Sequence, residues 1–215
     1  MKLLALSDEV VDHIYGPRVK QNFGDVDLVL GCGDLPYYYL EFVVSMLDVP
    51  LYYVPGNHDR HEQYMSDGRV VHRAEGCVNI DRRTVRHAGL LLAGLGGSMR
   101  YRPDGSHMYT EAEMGARAAS LAPALARNRL RWGRYLDILV AHSPPRDIHD
   151  GPDPAHVGFD VFRSFLARFK PRLMLHGHAH VYRRDQPTET LFGATRVINV
   201  YPYRVFEWDE NGHAR

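Results

Sequence analysis

The sequence predicts an α/β domain whose parallel strands carry their functional groups at the carboxyl ends. Three observations predict it. First, five short apolar runs each finish in Asp, Asn or His, most of them beside Gly or Pro. Lys2 to Leu6 runs into Ser7-Asp8, and residues 27–30 into Gly31-Cys32-Gly33-Asp34. Residues 51–54 run into Pro55-Gly56-Asn57-His58-Asp59, residues 137–141 into His142-Ser143-Pro144-Pro145, and residues 172–175 into His176-Gly177-His178-Ala179-His180. Second, the first three runs alternate with stretches of helical spacing, a β-α-β-α-β order that implies right-handed crossovers. Third, the middle of the chain changes character to short strands separated by Gly or charged turns, which suggests a second, partly antiparallel sheet. Ligands bind at the carboxyl edge of open α/β sheets, so the five endings are candidates for one site.

In order, residues 2–6 are the first strand, and 17–23 are a short helix with Pro17 in its first turn. Residues 27–30 are the second strand, and Gly31-Cys32-Gly33 is a tight turn. Residues 38–47 are helical through Leu40, Val43, Val44 and Leu47, until Asp48-Val49-Pro50 breaks the pattern. Strand three follows at 51–54. Further strands are predicted at 70–72, 78–81, 84–87 and 90–95, then a polar loop over 99–109. Residues 111–132 read as one helix, broken or bent at Pro123. A strand at 137–141 leads into a loop over 143–160 with four prolines. An amphipathic helix at 161–169 and a strand at 172–175 follow, with last strands at 190–192, 196–200 and 203–208. No repeat or linker divides residues 1–215, so one domain is expected.

Composition narrows the function. Hydrophobic residues make up 45% and charged residues 24% of 215, enough apolar side chain for a core. Lys+Arg and Asp+Glu are both 26, so the basic balance that grips duplex nucleic acid is missing. Nucleic acid as a small or end-on substrate stays open. Cys32 and Cys77 have no framework spacing and read as free thiols of a reducing compartment, the cytoplasm. Residues 1–6 are too short for a signal core, and no apolar run approaches the ~18 residues of a spanning helix. No membrane partner is expected.

Asp8, Asp34, Asn57, His142, His178 and His180 form a mixed oxygen and nitrogen donor set. Six such ligands hold two cations if one carboxylate bridges them, and a pair of cations clamps an in-line displacement at phosphorus. Imidazole with carboxylate favours Mn, Fe, Zn or Co over Ca or Mg. Two dications less two carboxylates leave positive charge for an anionic ester. Cys32 is read as facing the core.

The ordered elements Ser7-Asp8, Gly33-Asp34, Gly56-Asn57-His58-Asp59, His142 and Gly177-His178-Ala179-His180 resemble the calcineurin-like metallophosphoesterase superfamily, over residues 2 to about 200. The stretches 94–98 and His142 through Pro145, Asp150, His156 and Gly158 are similar to its small, uncapped members. The resemblance implies two mixed β-sheets packed face to face with helices outside, an αββα sandwich. It implies two divalent metal ions, Mn first, with Fe, Zn or Co as alternatives. Asp8 and His180 would hold the first metal, Asp34 would bridge, and Asn57, His142 and His178 would hold the second. A metal-bridging hydroxide would attack a small phosphate ester in line, His58 would serve the leaving oxygen, and Asp59 would orient His58. One position departs from the pattern. Where the family has Asp-x-His, this chain has Asp8-Glu9-Val10, and Val10 cannot bind metal. The first site is therefore expected to be the weaker, with water, Glu9, Asp12 or His13 in the vacant place.

Each residue also has a plainer reading. Asp8 and Asp34 could be caps or turn residues, and His142 a strand end. His176 should face away from the ligands, whereas His178 and His180 share a side if the segment is extended. Arg100, Arg102 and His107 are loop cations of which one, with Arg100 foremost, is a candidate phosphate contact. His149 and His156 are candidate substrate contacts. Tyr37, Tyr38 and Tyr39 read as a packed turn rather than a stacking platform. His61, His72, His87 and His213 carry no expected metal role. The function expected is a phosphoester hydrolase with an open site, suited to diesters or small esters. The alternative is a non-catalytic metal-binding or protein-binding scaffold with a degenerate first site.

Overall fold

In a computed structural model the described residues are 1–60, 62–64, 68–183 and 185–209; His61 and His213 lie outside them. β1 (Lys2–Leu6), α1 (Val19–Phe23), β2 (Leu28–Gly31), α2 (Tyr37–Leu47) and β3 (Leu51–Tyr53) alternate as predicted. Then come β4 (Gln63–Tyr64), β5 (Val70–Val71), β6 (Val78–Asn79), β7 (Thr84–His87) and β8 (Leu90–Leu95). β9 (Ser98–Met99) and β10 (Met108–Tyr109) pair across the predicted polar loop. α3 (Glu111–Ser120), α4 (Ala122–Trp132), β11 (Ile138–Ala141), α5 (Asp160–Phe169), β12 (Leu173–His176), β13 (Glu189–Phe192), β14 (Thr195–Asn199) and β15 (Tyr203–Glu207) complete the chain.

Two large sheets result. The first has the order β15-β1-β2-β3-β6, and the second β13-β14-β12-β11-β8-β7. β1, β2, β3 and β6 are parallel, with β15 antiparallel at one edge. In the second sheet β8, β11, β12 and β14 are parallel, and β7 and β13 close its edges antiparallel.

Strand alternation sorts the side chains into three apolar layers. Leu3 and Ala5 of β1 and Leu28 and Leu30 of β2 meet Leu92, Ile138, Val140, Leu173 and Leu175 between the sheets. The alternate residues Leu4, Leu6 and Val29 pack outward on Val19 and Phe23 of α1 and on Tyr39, Leu40 and Val43 of α2. On the other side Leu91, Ala93, Leu139 and Met174 pack on Met114, Leu125, Phe162, Phe165 and Phe169 of the last three helices. The central strands are buried on both faces, which is why they read as continuous apolar runs. This is the two-sheet sandwich with helices outside.

The helix predicted over 111–132 is two helices. The break falls at Leu121, whose amide bonds the Ala118 and Ala119 carbonyls, and Pro123 lies in the first turn of α4. There its missing N–H leaves no bond unmade, so the chain turns ahead of the proline. Thr110 and Glu113 form a capping box at the start of α3, with Glu113 accepting from the Thr110 amide at 2.7 Å. Tyr37 and Tyr39 are buried in α2, the packed role expected of them. Cys32 is buried between the sheets.

Candidate metal centre

β1, β2, β3, β11 and β12 all run into loops at one edge of the sandwich, and those loops touch. Both Asp8 carboxylate oxygens accept from the His178 amide, at 3.1 and 3.0 Å. Asp34 Oδ1 accepts from the His58 amide at 2.7 Å, and Asp34 Oδ2 lies 3.3 Å from His142 Nε2. Three of these residues have left-handed backbone: Asp8 at φ 65°, Asp34 at φ 55° and His178 at φ 65°. For non-glycine residues such strain is of order 1–3 kcal/mol each and gathers at functional sites. Glycines make the close approaches. A Cβ on Gly33, whose φ is 91°, would collide with the His142 ring, and one on Gly177 would collide with Ser7 Oγ and Asp8 Oδ2.

His142 is fully buried, and its Nδ1 is 2.9 Å from the Cys32 carbonyl. A carbonyl only accepts, so Nδ1 carries a proton in either charge state, and the neutral ring presents its Nε2 lone pair. That lone pair meets Asn57 Oδ1 at 3.0 Å and the Asp34 carboxylate at 3.3 Å. Acceptors therefore face acceptors. The Asn57 side-chain nitrogen is buried without a partner. A proton on Nε2, a turn of the Asn57 amide or a cation between these groups relieves the arrangement. His178 is fixed in the same manner, its Nε2 on the Ala155 carbonyl at 2.7 Å. Asp34, His142 and His178 each offer a donor atom, all within 4.8 Å of one another. One carboxylate, two imidazoles with carbonyl partners and one amide fit a divalent cation.

The electrostatics agree. Burial pushes Asp34 upward, but the charge and hydrogen bond of His142 and the His58 amide outweigh it, and Asp34 lies below the usual carboxylate range. Burial alone would lower His142; the Asp34 and Asp8 charges overcome it and lift it to about 9. Burial and the neighbouring His142 lower His178 to about 3. Burial, with the Asp34 charge beside it, raises Asp59 to about 7.

Asp8 and His180 sit beside this cluster, Nε2 to Oδ1 3.6 Å. The His180 ring lies flat on Tyr201, with centroids 4.5 Å apart and planes at 14°, and its Nδ1 is 2.7 Å from the Tyr182 hydroxyl. The Asp8 carboxylate beside it raises the His180 pKa. Asp8, Asp34, Asn57, His58, His178, His180, Tyr101 and His156 wall one cleft of ≈ 370 Å³.

Several expected placements are corrected. Asp59 does not reach for the His58 ring among the described residues; its Oδ2 accepts from the Gly56 and Asp34 amides, at 2.7 and 2.9 Å. A buried carboxylate takes the nearest donors, and those are backbone. Arg100 turns to Glu113, at 2.8 Å, and to the Met108 carbonyl, binding the start of α3 instead of the cleft. His149 lies behind the site, with Nδ1 3.0 Å from His176 Nε2 and Nε2 2.9 Å from Thr190 Oγ1. His178 and His180 are in a turn, not an extended strand, with Asn199 holding the Ala179 carbonyl at 2.6 Å. None of Glu9, Asp12 and His13 walls the cleft. Glu9 accepts from the Tyr201 hydroxyl at 2.8 Å, and His13 packs on Tyr203. Val10 packs with the apolar layer outside the first sheet. His156 is on the cleft wall, where its ring takes Asp153 at 2.9 Å. Sequence reasoning missed Tyr101 and Tyr201, and the carbonyls of Cys32 and Ala155. Backbone carbonyls carry no residue signature, so no sequence signal marks them.

The calcineurin-like phosphoesterase profile matches residues 4–182, most of the chain. The chain belongs to this family. An uncharacterized protein of Methanocaldococcus jannaschii is 24% identical over 223 residues, covering 97% of this chain and 92% of its own length. The solved structure of TT1561 from Thermus thermophilus superposes with a TM-score of 0.62 at 17% identity, over 93% of this chain and 88% of that one. A putative 5′-nucleotidase from Staphylococcus aureus reaches a TM-score of 0.53 at 12% identity; this chain is covered to 99%, that one to 52%. These structures share the fold.

Proposed function

We propose that this member of the family is a metal-dependent phosphoester hydrolase acting on diesters or small phosphate esters, with residues 1–215 as one catalytic unit. The observation that carries the reading is the meeting of Asp34 Oδ2, Asn57 Oδ1 and His142 Nε2, acceptors opposed at 3.0–3.3 Å, with His142 held by the Cys32 carbonyl. Bound divalent cations supply a Lewis acid for the phosphoryl oxygens and lower the pKa of water to a neutral range. Asn57, His142 and His178 would hold one cation, Asp8 and His180 a second, and Asp34 would serve both. The carbonyls of Cys32 and Ala155 fix the imidazole tautomers, so the free nitrogens need no reorganisation. His58, exposed on the cleft wall, gives its proton to the leaving oxygen as the P–O bond breaks. Asp59 acts from behind, tying the Gly56 and Asp34 amides together. The cleft is open, with no cap over it among the described residues, which suits diesters. Manganese is the first metal to test. No helix among the described residues is long and apolar enough to cross a membrane, in keeping with a cytoplasmic enzyme on small substrates.

A second reading rests on Val10, which packs with the apolar layer where the family carries a ligand. With that ligand gone, the chain could keep one cation as a binding scaffold. Hydrolysis of bis-p-nitrophenyl phosphate with added Mn separates the two. A hydrolase turns it over, and His58→Ala lowers the rate about 10²- to 10⁴-fold while bound metal is retained. Asn57→Ala abolishes turnover together with tight metal binding. No turnover with Mn, Fe, Zn or Co leaves the scaffold.

A further inference from the structure

Asn57 and His58 wall a second cleft as well as the first. This one holds ≈ 600 Å³, and its further walls include Arg60, Glu62, Tyr64, Arg102 and Asp104. It is within the size range of small-molecule sites. Arg102 lies 5.6 Å over the Tyr101 ring, and Tyr101 is on the wall of the metal-side cleft, so these two side chains join the clefts. Tyr64 is 73% exposed. It sits on β4, and Gln63 next to it is fixed to the start of α2 by the Tyr37 amide at 2.9 Å. An aromatic face is thus held open at the mouth of the site.

We infer that this cleft binds the leaving group of the substrate, and that the group is an uncharged alcohol of nucleoside size with an aromatic ring and hydrogen-bonding edges. This rests on the hydrolase reading for its direction. His58 serves the leaving oxygen, so the group attached to that oxygen extends past His58, and past His58 lies this cleft. On hydrolysis water adds to phosphorus, the P–O bond to the alcohol breaks, and that oxygen takes the His58 proton. The wall charges select against a second phosphate. Arg60 and Arg102 are offset by Glu62 and Asp104, and Arg60, Glu62 and Asp104 make no ion pair with described residues. The walls offer both donors and acceptors, which suits the edge of a heterocycle or sugar. Tyr64 offers the stacking face, and a stacked base contributes about five- to hundredfold in affinity.

Two non-hydrolysable probes with the same metal-facing head isolate the cleft. They are methylphosphonate and the phosphonate analogue of adenosine 5′-monophosphate with CH₂ in place of the ester oxygen. Titrated calorimetrically into the Mn-loaded full chain, the nucleoside phosphonate should bind at least tenfold tighter. Tyr64→Ala, at an exposed position, should remove most of that ratio and leave methylphosphonate unchanged. Equal affinities, or a ratio that survives Tyr64→Ala and Arg60→Ala, overturn the inference. The same preparations are assayed on bis-p-nitrophenyl phosphate. Turnover with equal affinities sinks the cleft and keeps the hydrolase. A Tyr64-dependent ratio without turnover keeps the cleft as a nucleoside site and sinks its leaving-group role together with the hydrolase. Binding of neither probe sinks the cleft.

Discussion

Loading the centre with metal should release protons in a number set by two residues. His142 is lifted to about 9 by the Asp34 and Asp8 charges against the cost of burial, so at pH 7 without metal it is about 99% imidazolium. It must give up the Nε2 proton to become a ligand, because its Nδ1 proton is committed to the Cys32 carbonyl. That is about one proton at pH 7. Asp59, raised to about 7 by burial and by Asp34, is half protonated there and adds up to about 0.5 once a cation neutralises Asp34. His178, lowered to about 3, is already neutral and adds none. The magnitude follows. Two pH units of competition for Nε2 amount to roughly 3 kcal/mol, on the order of a hundredfold weakening at pH 7 relative to pH well above 9. The sign is fixed: affinity rises with pH, about tenfold per unit from 7 to 9, then flattens. Manganese titrations in buffers of different ionisation enthalpy, repeated from pH 6.5 to 9.5, give both proton count and slope. Asp59→Asn should bring the count at pH 7 to about one. A flat affinity over this range with no proton uptake by the buffer would refute the argument that His142 and the cation compete for one position.

The same geometry makes further predictions. Asp59→Asn keeps an acceptor for the Gly56 and Asp34 amides but removes a buried charge. Because the folded-state pKa of Asp59 is raised from 3.8 to about 7, the wild-type carboxyl costs stability increasingly as pH rises through that window. The variant should therefore melt higher than wild type at pH 8 without metal, with no such gain at pH 4, measured by calorimetry. Gly177→Ala drives a methyl group into Ser7 and Asp8; it should lower stability by a few kcal/mol, as overpacking does, and reduce metal stoichiometry by elemental analysis. Arg100→Ala breaks the pair with Glu113 at the exposed end of α3 and the bond to the Met108 carbonyl, and should change turnover less than twofold and unfolding free energy by about 1 kcal/mol.

The fold class was already written in the order of residues, and so was the meeting of Asp34, His142 and His178. Apolar runs buried on both faces and punctuated by Gly or Pro are set by backbone and solvent alone, so β1 and β8 match their predicted bounds to the residue. The convergence of Asp34, His142 and His178 was legible because no packing need explains polar residues at five strand ends in succession. What an isolated residue does with its second polar atom was not legible. Asp59 looked like a partner for His58 and instead ties two amides; Arg100 looked like a phosphate contact and instead pairs with the capping-box carboxylate of Glu113; His149 looked like a substrate contact and instead backs His176. Those choices depend on which donors lie within about 3 Å, and folding brings them from 25, 13 and 27 residues away. Only the folded chain settles that the carbonyls of Cys32 and Ala155 orient the two imidazoles, and that Val10 joins the apolar layer while Tyr201 takes the face of His180. A hydrogen bond is selected by distance and angle, while the hydrophobic pattern that builds the sheets is selected by composition and period.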